Sequence, residues 1–190
     1  QRRQEAPFDV GAHPVELGGV AEALARARGV LQEDQVGRVV AVVDAESGSH
    51  RYAGNVLGAA RDSLETAIAY TQDREVFDRP LSSYQLTQEK LANMTLELGK
   101  GMLLALHLGR IKDAEGVRPE QISLGKLNNV RESLAIAREC RTLLGGSGIT
   151  LEYSPLRHAN NLESVLTYEG TSEMHLLSIG KALTGQAAFR

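Results

Sequence analysis

The chain has 190 residues, of which 42% are hydrophobic and 24% are charged, and its formal net charge is −3. This length allows one buried core with an appendage, and the composition is that of an ordinary globular protein. Nucleic-acid binding is disfavoured because it needs clustered Lys and Arg, and no cluster extends beyond Arg2 and Arg3. The single cysteine, Cys140, excludes an internal disulfide and a multi-cysteine metal site. No apolar run is long enough to cross a bilayer, so we expect a soluble intracellular protein without membrane insertion.

Residues 1–49 form a separate segment to which the sequence assigns no chemistry. A short helix is predicted over residues 21–31 and a buried strand over residues 38–43. The chain begins with Gln rather than Met, and its start lacks the apolar core of a secretory signal. We therefore expect a fragment, a processed product or a partial reading frame.

From His50 onward, apolar residues recur at spacings of three and four, which is typical of amphipathic helices. The pattern predicts long helices over residues 50–72, 85–112 and 119–144, a loop with a short helix over 148–166, and a last helix after Gly170. The fold class expected is all-α, a four-helix bundle over residues 50–190 that follows the unassigned segment.

The second long helix is apolar around much of its girth, which predicts a central position or a place at a subunit interface. Gly101 lies in this helix, where it either permits a close helix approach or is a tolerated weak point. At the last helix, Thr171 or Ser172 is expected to be the N-cap, and Glu173 falls in the first turn, where the helix dipole favours an acid.

Two places interrupt the helices in ways that packing does not require. The stretch LLGGSGI, residues 143–149, could let backbone approach a ligand, although taken alone a helix C-cap with a turn is the better explanation. In TYEGTSEMH, residues 167–175, Glu169 stands before Gly170 at the mouth of a helix. That placement suits a side chain reaching into a cleft, and it also suits an acid that stabilises a helix N-terminus.

The histidines His107, His158 and His175 have no partner His or Cys at ligand spacing on a common helix face. We therefore predict no metal site. No Ser nucleophile elbow and no Walker-type phosphate loop is found in the sequence.

Beyond these local patterns, a long string resembles the acyl-CoA dehydrogenase family, most closely its glutaryl-CoA dehydrogenase branch. The string contains LLGGSGITLEYSPLRHANNLESVLTYEGTSEMH, and the combination of RHANNLE with TYEGT is the most specific part. Upstream, RYAGNVLGAA and QDREVFDRPLSSYQLTQEKLANM continue the likeness in the same order. The resemblance covers residues 51–189.

The resemblance implies an FAD-dependent alpha,beta-dehydrogenation of an acyl-CoA, with decarboxylation to follow if the substrate is glutaryl-CoA. Glu169 would be the base that removes the alpha proton, while the beta carbon passes a hydride to the flavin. Tyr168 and Gly170 would flank the thioester, whose carbonyl would be polarised by the Glu169 backbone amide and the flavin ribityl chain. Arg51 would lie near the CoA-binding cleft.

The resemblance also implies which residues would contact FAD. The Arg and Phe of QDREVF would meet the flavin pyrophosphate and adenine across a subunit boundary, and the Gln that begins the next helix would contact the adenine half. The glycine pair would approach the FAD of a neighbouring subunit, and the Thr and Glu after Glu169 would bind near the pyrophosphate. These residues are Arg74, Phe77, Gln85, Gly145, Gly146, Thr171 and Glu173.

Family members carry two further domains before this bundle, and residues 1–49 resemble neither. The resemblance implies a homotetramer, with electron-transfer flavoprotein as electron acceptor, in the bacterial cytoplasm or in the mitochondrial matrix of a eukaryote. Two alternatives stay open: a short-chain acyl-CoA oxidase, in which oxygen reoxidises the flavin, and a truncated non-catalytic module that only oligomerises.

Overall fold

The structure is a computed structural model, and it describes residues 48–188, with side chains from Asn55 to Ala188. The helix predicted over residues 21–31, the strand predicted over 38–43 and the side chain of Arg51 lie outside this description. Within it the fold is helical, as predicted. Its α-helices are α1 (Gly48–Asp73), α2 (Gln85–Glu115), α3 (Pro119–Leu143), α4 (Ser154–Thr167) and α5 (Ser172–Thr184).

Short connections join these helices. Strands β1 (Glu75–Val76) and β2 (Arg79–Pro80) form an antiparallel hairpin after α1, and a 3₁₀ turn at Leu81–Ser83 leads into α2. A second 3₁₀ turn, Gly145–Ile149, follows α3. The hairpin was not predicted, because strands of two residues leave no alternating apolar pattern.

Helix α3 is the centre of the bundle, since it contacts α1, α2, α4 and α5. Its buried residues recur three or four positions apart, as a helix packed along one face requires: Lys126, Val130, Ser133, Ala137 and Cys140. Cys140 is fully buried, and burial raises the pKa of its thiol to about 12. Cys140 is therefore a protonated packing residue, with its Sγ 3.5 Å from the Met94 Sδ.

Helix α2 packs on α1 and α3, so it does not have the central position that its apolar girth allowed. It keeps Leu86, Leu96 and Leu103 exposed at 73%, 59% and 68%. Gly101 does permit a close helix approach. A Cβ there would lie 2.9 Å from the Leu57 Cδ2, and the Asn129 Nδ2 donates to the Gly101 carbonyl at 3.2 Å.

No helix within residues 48–188 has the length and apolar character needed to span a membrane.

Candidate active site

Glu169 lies on the short loop between α4 and α5, as predicted. Tyr168 ends α4, and its amide donates to the Ser164 carbonyl at 3.0 Å. Glu169 then has φ +56° and Gly170 has φ +96°. A glutamate in the left-handed region costs roughly 1–2 kcal/mol, so surrounding contacts must hold the loop in this shape. The Glu169 side chain is exposed on this loop.

A buried lysine from α3 supplies those contacts. Lys126 is 1% exposed, and its Nζ donates to the Tyr168 carbonyl and, at 2.8 Å, to the Gly170 carbonyl. The Tyr168 ring centroid is 5.9 Å from the same Nζ, within range of a cation–π contact. Burial lowers the pKa of Lys126, and the negative charge of Glu169 opposes that shift. One ammonium thus binds the residues on both sides of Glu169.

His175, from the first turns of α5, lies directly under Gly170. Its Nδ1 is 3.1 Å from the Ser123 Oγ, while its Nε2 has no hydrogen-bond partner among the residues described. A Cβ at Gly170 would be 3.0 Å from that Nε2. Burial, and then the positive charge of Lys126, lower the pKa of His175, so the ring is neutral at physiological pH. The imidazole leaves room for a glycine above it and for nothing larger.

Thr171 is the N-cap of α5, as predicted, but its side chain makes no capping hydrogen bond. Glu173 lies in the first turn, and the pKa of its carboxyl is lowered by its own backbone amide and then by the Thr171 hydroxyl. Glu173 therefore acts as the acid that satisfies this helix N-terminus. The roles that the resemblance gives both residues in FAD binding remain predictions.

The β1–β2 hairpin presents Phe77 at its tip. Phe77 (φ +51°) and Asp78 (φ +62°) are both left-handed, as in a type I′ turn, and Phe77 is 88% exposed. The hairpin is braced by Tyr84, whose hydroxyl donates to the Val76 carbonyl at 2.5 Å and whose ring lies 3.9 Å under the Arg79 guanidinium. A rigid turn that exposes a phenylalanine fits a ligand or partner better than it fits packing.

Arg74 precedes this hairpin and Gln85 begins α2, and both are exposed. A guanidinium and an amide beside an exposed aromatic ring are chemically suited to a pyrophosphate and an adenine. The predicted FAD residues Arg74, Phe77 and Gln85 therefore lie in one local structure, and they fit that half of the cofactor.

The glycine-rich turn after α3 contains glycines with different roles. A Cβ at Gly148 would come within 2.1 Å of the Arg141 carbonyl oxygen, so packing requires that glycine. Gly145 (φ +58°) ends α3 in the left-handed region and has open space around it. Gly146 has open space as well and no positive φ, so nothing within the described residues requires a glycine there. Access of a ligand to the Gly146 backbone would be a reason for a glycine at this position.

The turn is attached to the end of α1 near the hairpin. The Tyr70 hydroxyl donates to the Ser147 Oγ at 3.3 Å, and the Tyr70 ring packs edge-on against Tyr153 with centroids 5.5 Å apart. The Arg74 amide donates to the Tyr70 carbonyl at 2.9 Å. The predicted site residues therefore fall into two groups, the Glu169 loop with the start of α5 and the hairpin with the glycine-rich turn.

Arg51 lies within α1. Among the described residues, no group of three or more His, Cys, Asp and Glu side chains could hold a metal ion. His158 instead pairs with Asp62 at 2.8 Å, which links α4 to α1. The pKa of Asp62 is lowered mainly by a hydrogen bond from Ser154 and further by its contact with His158, while burial partly opposes this shift.

Lys126 was not among the predicted site residues, and His175 was considered only as a possible metal ligand. A signal for Lys126 was present. It lies four residues before Val130 and seven before Ser133, in the register of the buried face of α3. A lysine on an inward face is unusual unless the ammonium has a partner, and here the partners are 42 and 44 residues away in the chain.

Comparison with known proteins agrees with this architecture. A model of the acyl-CoA dehydrogenase C-terminal domain matches residues 46–184. The mitochondrial short-chain specific acyl-CoA dehydrogenase of Bos taurus is 31% identical over 150 residues, which are 79% of this chain and 36% of that protein.

Solved structures give the same result. A glutaryl-CoA dehydrogenase from Mycobacterium smegmatis in complex with FADH2 is 89% identical, with a TM-score of 0.73 over 74% of this chain and 36% of that chain. Butyryl-CoA dehydrogenase from Megasphaera elsdenii is 27% identical, with a TM-score of 0.68 over 70% of this chain and 35% of that chain. The chain thus spans little more than a third of the length of these relatives.

The family model covers most of the chain, and the glutaryl-CoA dehydrogenase of high identity shares its fold, which confirms the resemblance seen in the sequence. This chain belongs to the acyl-CoA dehydrogenase family, of which it carries the C-terminal helical domain.

Proposed function

We propose that this chain is the C-terminal catalytic part of an FAD-dependent acyl-CoA dehydrogenase that converts an acyl-CoA to its 2-enoyl-CoA, with glutaryl-CoA as the preferred substrate. The observation that carries the proposal is the Glu169 loop. The backbone of Glu169 lies in the left-handed region between two helices, and the buried Lys126 ammonium holds it there. This conformation costs free energy, and packing alone would not favour it. The 89% identity to a glutaryl-CoA dehydrogenase supports the substrate.

In this proposal Glu169 removes the proton alpha to the thioester carbonyl. The Glu169 backbone amide donates to the thioester oxygen, where negative charge develops as the proton leaves. Tyr168 and Gly170 flank the thioester. Arg51 is proposed to bind near the CoA moiety. FAD, when bound, accepts the hydride that leaves the beta carbon.

The hairpin and the glycine-rich turn are proposed to hold the pyrophosphate and adenine half of FAD. Arg74, Phe77 and Gln85 provide an exposed cation, ring and amide. The backbone at Gly145 and Gly146 is open to an approaching ligand. Thr171 and Glu173 are assigned to the same cofactor on the resemblance alone, because their observed contacts are those of a helix N-terminus.

The whole protein is proposed to be a homotetramer that passes electrons to electron-transfer flavoprotein. Exposed leucines on α2 support association through this bundle. We place the protein in the bacterial cytoplasm or, in a eukaryote, in the mitochondrial matrix; the Bos taurus relative is named as mitochondrial.

The test uses the 190-residue chain and a chimera in which its residues 55–188 replace the matching segment of the Mycobacterium smegmatis enzyme. FAD-loaded protein is mixed anaerobically with glutaryl-CoA or butyryl-CoA, and the visible absorbance of the flavin is followed. We expect the absorbance to bleach faster with glutaryl-CoA. A chimera that retains FAD and does not bleach with either substrate contradicts the proposal.

Reoxidation and cofactor content separate the alternatives. Rapid reoxidation by oxygen with peroxide release would indicate an acyl-CoA oxidase. Slow reoxidation by oxygen and fast reoxidation by electron-transfer flavoprotein are expected for the dehydrogenase. A stable, colourless oligomer that takes up no FAD in either form of the protein would indicate a non-catalytic module.

A further inference from the structure

We propose that Lys126 is a positioning residue of the thioester site, where its buried ammonium fixes the carbonyls of Tyr168 and Gly170 and thereby aims the Glu169 amide at the substrate carbonyl. This inference rests on the proposed function, because it takes the Glu169 loop as the place where the thioester binds. Lys126 itself lies behind the loop and does not touch the substrate.

The burial of Lys126 requires an explanation beyond packing. The side chain is 1% exposed on the central helix α3, in line with apolar residues such as Val130 and Ala137. A methionine of similar length could fill this space without the cost of removing a charge from water. The lysine is therefore useful for its ammonium, and the hydrogen-bond partners found for that ammonium are the two carbonyls of the Glu169 loop.

Peptide geometry carries the effect from the carbonyls to the amide. The described chain has no cis peptide, so each carbonyl points opposite to the N–H of the same peptide unit. The Tyr168 carbonyl faces Lys126, and the Glu169 N–H therefore points away from it. The Gly170 carbonyl also faces Lys126, which directs the Thr171 N–H outward. Lys126 thus sets the direction of the amide that the proposed mechanism uses.

The charge of Lys126 also strengthens that amide as a donor. A carbonyl that accepts from an ammonium is polarised, and polarisation of one end of a peptide unit makes its N–H a better donor. The positive charge behind the loop further favours an anionic thioester oxygen in front of it. The charged groups coupled to Lys126 are Glu169, whose charge favours the ammonium, and His175, which burial keeps neutral.

The experiment compares Lys126→Met, Lys126→Arg and the surface control Lys100→Met. Lys100 is exposed on α2 and pairs only with the nearby Glu97 in the described contacts. Acetoacetyl-CoA, whose alpha proton is acidic, is added to the FAD-loaded chain and to the chimera. The enolate that forms on the protein is measured by its absorbance as a function of pH, and the ¹⁵N-labelled chain reports the Glu169 and Thr171 amide resonances.

For Lys126→Met we expect a shift of both amide resonances and an enolate that forms only at higher pH. Flavin reduction should slow by up to about 100-fold, because a misdirected Glu169 amide loses at most the effect of one oxyanion donor. The Lys126→Arg variant, which keeps charge and donors, should recover part of that loss, and it keeps the test decisive if the methionine variant folds poorly. Lys100→Met should behave as the wild type.

Unchanged amide resonances or an unchanged enolate pH profile in folded Lys126→Met overturns the inference. The variant Glu169→Gln distinguishes a failure of the Lys126 inference from a failure of the proposed function. It lacks the side-chain carboxylate and keeps the backbone amide of residue 169. Normal flavin reduction in Glu169→Gln contradicts the base assignment and leaves the Lys126 result standing. A wild-type chimera that binds acetoacetyl-CoA without forming enolate contradicts the proposed function and this inference together.

Discussion

Two buried polar side chains, Lys126 and His175, lie beneath the loop that carries Glu169, and each restricts a different neighbour. Lys126 holds the carbonyls on both sides of Glu169, whereas the His175 ring fills the space below Gly170. The position of Glu169 was predictable because the residues after it mark a helix start. Its supports were not predictable, because they come from α3 and α5, and helical periodicity gives no information on contacts between helices.

The substitution Gly170→Ala should destabilise the protein by about 1–3 kcal/mol. It places a Cβ 3.0 Å from the His175 Nε2, at a residue with φ +96°. The matched control is Gly99→Ala in α2, where a Cβ meets nothing within 4 Å and alanine favours the helix. Urea unfolding measures both variants, and a Gly170→Ala protein as stable as Gly99→Ala would show that the loop is not constrained from below.

Because of His175, the free energy of unfolding should decrease on mild acidification. Burial holds its pKa in the folded protein below the ordinary value of 6.5. As the pH falls through 6.5, the unfolded chain therefore binds a proton at this position before the folded chain does, which favours unfolding. The Asp62 carboxylate does not interfere with this measurement. Because its pKa in the folded protein lies below the ordinary 3.8, its contribution to stability is lost only at lower pH.

The measurement is the free energy of unfolding from about pH 8 to about pH 5 in the wild type and in His175→Asn. Asparagine does not titrate, and it retains an amide near Ser123. We expect the variant to lose less stability over this range than the wild type. Equal losses would show that His175 does not contribute to the pH dependence.

At the scale of elements, the helices were predictable and the connections were less so. Helix α2 continues to Glu115 rather than ending at Lys112, while α3 begins at Pro119 as predicted and ends at Leu143, next to the glycines that stop it. The β1–β2 hairpin was missed because its turn residues, Phe77 and Asp78, lack the glycine that usually marks a type I′ turn. An unfavourable turn sequence of this kind is a reasonable sign of function.

The glycine-rich turn offers a comparison within one element. Gly148→Ala should cost about 2 kcal/mol or more, because its Cβ would meet the Arg141 backbone at 2.1 Å and neither can move cheaply. Gly146→Ala should change stability by no more than about 0.5 kcal/mol, since nothing lies within 4 Å of its Cβ. Thermal unfolding of both variants and their retained FAD per chain test this.

If the proposed contact with FAD is correct, Gly146→Ala should lower retained FAD without loss of stability. A Gly146→Ala protein with full FAD content would remove Gly146 from the cofactor site. A stable Gly148→Ala protein would contradict the packing described for this turn.

At the scale of the molecule, the bundle has α3 at its centre and leaves an apolar face on α2. Leu96 and Leu103 lie seven residues apart, on one side of that helix, and are 59% and 68% exposed. Burying a leucine is worth about 1.5–3 kcal/mol, so this face would gain substantially from the partner subunit of the proposed tetramer. The sequence was compatible with α2 either at the centre of the bundle or at a subunit interface. The three-dimensional packing, which places α3 at the centre, is needed to choose between these positions.

If the proposed tetramer forms through this face, the double substitution Leu96→Lys with Leu103→Lys should reduce it to smaller species. Because both side chains are exposed in the single chain, its helical content should be unchanged. Sedimentation gives the mass, and circular dichroism gives the helical content. An oligomer of unchanged mass would place the subunit interface elsewhere.

Removal of the alpha proton of an acyl thioester by Glu169 can be measured by proton exchange. The chimera carrying residues 55–188 is incubated with FAD and butyryl-CoA in deuterated water, and deuterium at the alpha carbon is measured by mass spectrometry. We expect exchange in the wild type and a loss of at least about 100-fold in Glu169→Gln, the contribution of one general base. Exchange at the same rate in both proteins would contradict the assignment of Glu169 as the base.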